Sequence, residues 1–263
     1  LYGKALLFIT FLELFITGFR FYPPSQRFDF EETEAITWLK RKEGEFRVVG
    51  SEGSNNIPNT GIVHGISDIR VSDALQLNRY IKMMLNVDPE SLLSIGPMMT
   101  RYNNEFLNLL NVKYLIKCRC KVLATDNEYE DSLFLRNWHE TQYIGKKWQP
   151  VYKGNGVTIY ENTKVFPRAF ILHSALFTTG EADSYSALRK KIDLKRIAVL
   201  ELPSSEKKRE IERLLAGSMP GRDLVEILSY SPQRVRINAF LTSPGILVPV
   251  SYTHLRAHET GRN

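Results

Sequence analysis

The stretch Val151-Tyr-Lys-Gly-Asn-Gly-Val-Thr-Ile-Tyr160 decides the fold class. Two β-favouring runs, residues 151–153 and 157–160, flank Gly154-Asn155-Gly156. An Asn-Gly pair between such runs is the strongest short-range hairpin signal, because both turn positions must adopt positive φ. Downstream, residues 169–176 read as a further strand. Residues 181–191 read as a helix with acids at its start and bases at its end, matching the macrodipole. Residues 197–200 read as a buried strand, and 205–216, dense in charge, as a surface helix. Residues 234–240 alternate polar and apolar, which predicts one wet and one buried face, with 224–230 as the pairing partner across Ser231-Pro232.

Upstream of the hairpin, Asp29 can cap a helix over 30–42 with Glu32 as its capping-box partner and Gly44 beyond the end. Phe46-Arg-Val-Val49 reads as a short strand, 75–85 and 101–110 as helices, and 112–116 as a strand. Strands grouped as hairpins with helices between them predict an α+β domain over residues 25–249.

The chain has 263 residues, 35 basic and 29 acidic side chains for a net charge of +6, 43% hydrophobic residues and 24% charged ones. Such a balance excludes wholesale disorder, collagen-like repeats and a disulfide-stapled miniprotein. A charge of +6 over this length gives no basis for a nucleic-acid partner. Averages hide segments, however. Residues 1–22 are nearly continuously apolar, Phe19, Phe21 and Tyr22 cluster at the exit, and Pro23-Pro24 stops the helix. These features predict a transmembrane helix over 1–22 with Lys4 snorkelling to the interface. A signal peptide is the rival reading, but no small-x-small cleavage site follows. Glu13 falls mid-span, where an ionisable group is costly and serves either as a proton or substrate contact or as an interhelical hydrogen bond. Either role implies neighbouring spans and therefore a multi-span parent.

Residues 250–263 carry a different signature. Val250-Ser-Tyr-Thr-His-Leu-Arg-Ala-His-Glu-Thr260 resembles, residue for residue, the translation of a transposon-based sequencing adapter read in one frame. It is expected to be a foreign tail. His254 and His258, four apart with Glu259 beside them, invite a zinc-site reading, but the order is not His-Glu-x-x-His and both lie in that tail, so no metal site is assigned.

Elsewhere the chemistry is thin. Cys118 and Cys120 are the only cysteines, too close for an unstrained disulfide and without neighbouring metal ligands, so unpaired thiols are expected. His64 and His173 are lone, with no spacing that defines a triad, and structural roles are expected for both. The basic runs Arg189-Lys-Lys191 and Lys195-Arg196 read either as a contact for anionic lipid headgroups or as a solvated helix end. The segment 59–80 gathers Asn59, Thr60, His64, Asp68, Arg70, Asp73, Asn78, Arg79 and Tyr80, broken by Gly61 and Gly65. A polar loop held by flanking elements is where recognition commonly sits. The alternative is a self-satisfied loop in which Asp and Arg pair with each other. Asn59, Asp68, Arg70, Asp73, Arg79 and Tyr80 are the candidate binding residues, with Glu13 as the intramembrane polar residue; no catalytic residue and no cofactor is assigned.

An ordered series of short motifs covers nearly the whole chain: Asn59-Thr60, Gly65-Ile66, Asp73-Ala-Leu75 and Arg79-Tyr80. It continues with Leu109-Leu-Asn-Val-Lys-Tyr114, Gly156-Val-Thr-Ile-Tyr-Glu-Asn162 and Pro167-Arg-Ala-Phe170. The last members are Tyr230, Pro232, Arg234-Val235 and Pro244-Gly-Ile-Leu-Val248. This series resembles the C-terminal extracytoplasmic portion of the bacterial YfhO family of membrane proteins. It departs from the family at Val71-Ser72, where relatives usually carry Gly-Tyr before the aspartate. The resemblance implies a polytopic parent with a GT-C-like membrane core in the bacterial cell membrane. It implies glycosylation of cell-envelope polymers from polyprenyl-phosphate-linked sugars. Membrane lipids, the lipid-linked sugar and the envelope polymer would be the partners, the last two through the membrane core. The catalytic acids of that pattern lie in loops between early spans, so none is carried onto these residues. Three functions are open: acceptor recognition beside a glycosyltransferase core, a membrane-anchored glycan- or partner-binding domain without chemistry, and a purely structural domain.

Overall fold

The computed structural model describes residues 2–21, 32–50, 60–70, 78–88, 92–93, 96–97, 101–118, 145–190, 192–202, 204–231 and 234–250. Two compact units form, Leu1–Thr33 and Glu34–Asn263.

The first unit carries the helix Tyr2–Phe21. The expectation of a membrane-spanning helix here is overturned: among the described residues no helix is long and apolar enough to cross a membrane. The helix itself forms, with Phe11 stacked on Phe15 at 6.1 Å between ring centroids. Its apolar run is diluted by Lys4, Glu13 and Arg20 together with Gly3, Thr10, Thr17 and Gly18. Of these charged residues only Glu13 lies near the centre, where a charged side chain opposes insertion by about 2.5–3.5 kcal/mol, whereas Lys4 and Arg20 lie at the ends. Of the aromatic exit, Phe19 and Phe21 fall in this helix, while their side chains, Tyr22 and Pro23-Pro24 lie outside the described residues.

The second unit has the mixed helix and strand content expected of an α+β domain. Its centre is a sheet of β1 (Arg47–Gly50), β2 (Ser67–Asp68), β5 (Val112–Cys118), β6 (Trp148–Gly154) and β7 (Val157–Asn162), in the order β2-β1-β5-β7-β6. β1 runs parallel to both neighbours, whereas β5, β7 and β6 are antiparallel. The 151–160 stretch is the hairpin its sequence predicts. Asn155 and Gly156 both take positive φ, 47° and 74°, and Gly154 faces Val157 across the turn.

Alternate residues of the sheet feed two apolar clusters. Val49, Val112 and Leu115 pack with Tyr80 and Met84 of the helix Asn78–Val87 and with Leu107 of the helix Phe106–Leu109. Val48, Tyr114, Ile116 and Ile159 pack with Ala35 and Leu39 of the helix Glu34–Lys40. Trp38 and Phe46 meet Tyr114 edge-on at 5.6 and 5.0 Å. Every residue of β1 is buried, which suits a central parallel strand covered on both faces.

Four polar side chains stitch the end of this sheet. Asn111 takes a left-handed φ of 59°, turning the chain from helix to β5, and its Nδ2 donates to the Phe166 carbonyl at 2.8 Å. Asn162 Nδ2 donates to Asn108 Oδ1 at 2.8 Å and to the Val112 carbonyl at 3.0 Å, while its own Oδ1 accepts from Lys164 N–H. Lys147 Nζ donates to Asn104 O and Asn108 Oδ1, and burial pushes its ammonium down to about 8.

Short sheets complete the unit. β3 (Leu92–Leu93) pairs with β4 (Gly96–Pro97). β8 (Ala169–Leu172) pairs with the later strand β13 (Ile246–Pro249). β9 (Ser174–Thr178) pairs with β10 (Ile197–Glu201), and β11 (Leu224–Tyr230) with β12 (Val235–Phe240).

Several expectations are refined. The single strand 169–176 divides at His173, where the chain leaves one partner and takes another. The helix expected over 101–110 is confined to Phe106–Leu109. β11 and β12 pair as predicted, but the alternation in 234–240 does not produce a buried face: no residue of either strand is fully buried, and Leu224 and Phe240, opposite each other, are exposed. β10 is only half-buried, because it lies in a two-stranded sheet. The charged helix Ser205–Leu215 lies on the surface, capped by the Ser204 side chain. Asp29, Cys120 and the 251–263 tail lie outside the described residues, as does the Cys118 side chain.

Candidate functional site

Among the described residues, those singled out in the sequence do not form one site. Asp68 and Arg70 fold onto each other: Arg70 Nη2 lies 2.7 Å from Asp68 Oδ2 and Arg70 N–H donates to Asp68 Oδ1 at 2.8 Å, with both side chains buried. The guanidinium lies against Gly50, where a Cβ would come within 2.3 Å of Nη2, so a side chain there would have to displace the guanidinium. Between the pair, the Ile69 carbonyl accepts from the Tyr80 hydroxyl, and burial raises the Tyr80 phenol well above its ordinary range. Asp68, Arg70 and Tyr80 thus adopt the self-satisfied arrangement.

Arg79 points outward and pairs with Glu201 on β10. Beside it, Tyr185 OH donates to Glu181, which also meets Lys82 at 3.1 Å. These bonds hold the Glu181 carboxyl below its usual range, while burial and then the bond to Glu181 push the Tyr185 phenol up to about 12. Arg79 and Tyr80 line an apolar groove of about 620 Å³ with Met83, Leu188 and Val248. Glu13 is exposed on the Tyr2–Phe21 helix. Asn59 and Asp73 lie outside the described residues.

The more informative site is one the loop reading missed. A pocket of about 860 Å³ lies between β11, the turn at 43–46 and the segment 165–169. Arg168 and Asn111 line it, 8% and 4% exposed. Arg168 Nη2 donates to the Tyr230 hydroxyl, and the Tyr230 ring covers the guanidinium at 4.9 Å. Arg168 Nε and Nη1 and Asn111 Oδ1 are shut off from solvent and have no hydrogen-bond partner among the described residues. Buried polar atoms without partners are rare and costly, about 1–3 kcal/mol each, so such a group calls for an occupant. Exposed carboxylates of Glu43, Glu45 and Glu226 stand around the pocket. Lys113, also on the lining, is 3.8 Å from Glu161. The only signal in the sequence was indirect: Asn111, Arg168 and Tyr230 belong to three separate members of the motif series.

A second constellation is also invisible in the sequence. His173 Nε2 lies 2.6 Å from Asp223 Oδ2, and His173 Nδ1 lies 2.8 Å from the Pro244 carbonyl and 3.3 Å from Ser243 Oγ. Ser, His and Asp meet here, yet the geometry is not that of a nucleophilic triad. Both ring nitrogens face acceptor oxygens, leaving no lone pair to take the Ser243 proton, and Ser243 Oγ donates to the Met219 carbonyl. The arrangement is a clamp, with an imidazolium bridging the β8–β9 junction to the loop before β13. The Asp223 hydrogen bond and then the Pro244 carbonyl raise the His173 pKa above 6.5, and the His173 bond lowers that of Asp223 below 3.8.

The sign of the pH dependence follows. The raised histidine contributes stability that is complete below pH 6.5 and is lost as pH rises through its folded pKa. The lowered carboxyl contributes stability present above pH 3.8 and lost as pH falls through its folded pKa. The urea midpoint of the chain is therefore expected to fall as pH is raised above 6.5, and His173→Gln should flatten that slope. An unchanged slope in the variant would remove the clamp.

Among the described residues no group of His, Cys, Asp and Glu has an arrangement that holds a metal ion. Compared with protein-family models, curated proteins and solved structures, the chain matches none.

Proposed function

We propose that this chain is the glycan-recognition part of a YfhO-like membrane protein that glycosylates cell-envelope polymers from polyprenyl-phosphate-linked sugars. Its pocket holds the acceptor outside the bacterial cell membrane. Catalysis on this reading belongs to a GT-C-like core, and the pocket binds rather than reacts. One observation carries the reading. Asn111, Arg168 and Tyr230, from three motif segments far apart in the sequence, line a single pocket. Two of them carry buried polar atoms without partners among the described residues, and a few placed polar groups in a pocket are what fix a ligand's orientation. Carboxylates at the mouth and aromatic Phe46 and Phe166 on the wall are groups that hydroxyl-bearing rings use.

The experiment is substitution of Arg168 by alanine in the full-length parent, followed by sugar transfer to the envelope polymer in cells with matched protein levels. Transfer is expected to fall by roughly tenfold or more, the equivalent of losing one charge-assisted contact. Unchanged transfer would count against acceptor recognition here. A parent with no transfer activity whose pocket still binds glycan would favour the alternative, a membrane-anchored glycan-binding domain without chemistry.

A further inference from the structure

The donors and acceptors around the pocket are unevenly distributed, and that distribution specifies a ligand. Arg168, on the lining, carries two buried N–H groups, Nε and Nη1, with no acceptor among the described residues. The side-on fork that matches a planar oxyanion joins Nε–H to Nη2–H, as in the Arg70–Asp68 pair, so a bidentate ligand takes Nε together with the Nη2 that Tyr230 holds. Around them acceptors predominate: Asn111 Oδ1 without a donor among the described residues, and the carboxylates of Glu43, Glu45 and Glu226, against the ammonium of Lys113, which lies 3.8 Å from Glu161. Ionised carboxylates accept hydrogen bonds only, and a hydroxyl is the neutral donor that serves them. The same three negative charges oppose a ligand with many anionic groups.

Resting on the recognition reading above, we propose that this pocket binds an acidic sugar. Its single oxyanion, carboxylate or phosphate, sits on Arg168 and its ring hydroxyls face Asn111 and the glutamates. A volume of about 860 Å³ accepts such a ligand. Arg168 Nε and Nη1 are closed to solvent and the Tyr230 ring lies over the guanidinium. Entry therefore displaces Tyr230 and frees Nη2, exchanging a hydrogen bond to a neutral phenol for a pair of opposite charges.

The test uses the full chain labelled with ¹⁵N-arginine and follows the side-chain Nε–H resonances during titration with glucuronate, glucose 6-phosphate and glucose. The Arg168 resonance is identified by its loss in Arg168→Lys and, independently of that variant's folding, by its proximity to the Tyr230 ring protons. A saturable shift of this resonance with glucuronate or glucose 6-phosphate is expected, at an affinity about tenfold or more above that for glucose. Whichever anionic sugar binds more tightly decides between carboxylate and phosphate. Equal affinity for glucose overturns the oxyanion assignment while leaving glycan recognition standing. Absence of a shift with all three sugars overturns the proposal, and the transfer assay in the parent then decides separately on acceptor recognition.

Discussion

Replacing Asn162 by alanine is expected to lower the unfolding free energy by about 3 kcal/mol, read as a fall in the urea midpoint at constant slope. The side chain is 1% exposed and its amide serves three partners: Asn108 Oδ1, the Val112 carbonyl and the Lys164 N–H. Truncation strips all three at the buried end of the sheet, where water cannot replace them without opening it. Asn162→Asp should not rescue the loss, because a carboxylate cannot donate to Asn108 or Val112. Rescue by aspartate, or a change within experimental error for alanine, would show that the network is incidental.

Asp68→Asn is expected to cost a similar amount, about 3–5 kcal/mol, by removing the carboxylate that faces the buried Arg70 guanidinium. The two side chains are 4% and 6% exposed, and Gly50 leaves the guanidinium no room to move toward β1. This separates two roles for the 59–80 segment. If Asp68 fastens the fold, the variant loses stability and any loss of glycan binding follows from that. If Asp68 contacts a ligand, binding falls while the urea midpoint holds. The geometry predicts the first outcome.

The hairpin was legible because its information is local: Asn155 and Gly156 occupy positions whose positive φ few other residues tolerate. The strands around Val48, Tyr114 and Ile159 were legible for a similar reason, as short β-branched and aromatic runs bounded by turn residues. What escaped was set by distance along the chain. His173 looked alone because Asp223 and Pro244 come from other elements, and the break it makes between β8 and β9 depends on those partners rather than on the apolar run around it. Arg168 read as a motif letter, since nothing beside it reveals that Tyr230 and Asn111 will enclose it. Residues 1–22 misled in the opposite direction. A continuous apolar look suggested a membrane span, yet among the described residues no helix is long and apolar enough to cross one, and Glu13 stands mid-way along Tyr2–Phe21. The alternation in 234–240 likewise describes a strand correctly without saying whether anything packs on it.

Folding order follows from the way β1 is wedged between β2 and β5. The hairpin of β6 and β7 closes over a two-residue turn and can form within microseconds. β1 has no such neighbour, because its parallel contacts with Ser67–Asp68 and Val112–Cys118 require long stretches of chain to be drawn in first. Both apolar clusters need β1, one through Val49 and the other through Val48. Docking of this four-residue segment is therefore the step at which both halves of the interior become dry together. Substitutions at Val48 or Val49 should slow refolding, whereas substitutions in β11 or β12 should chiefly hasten unfolding.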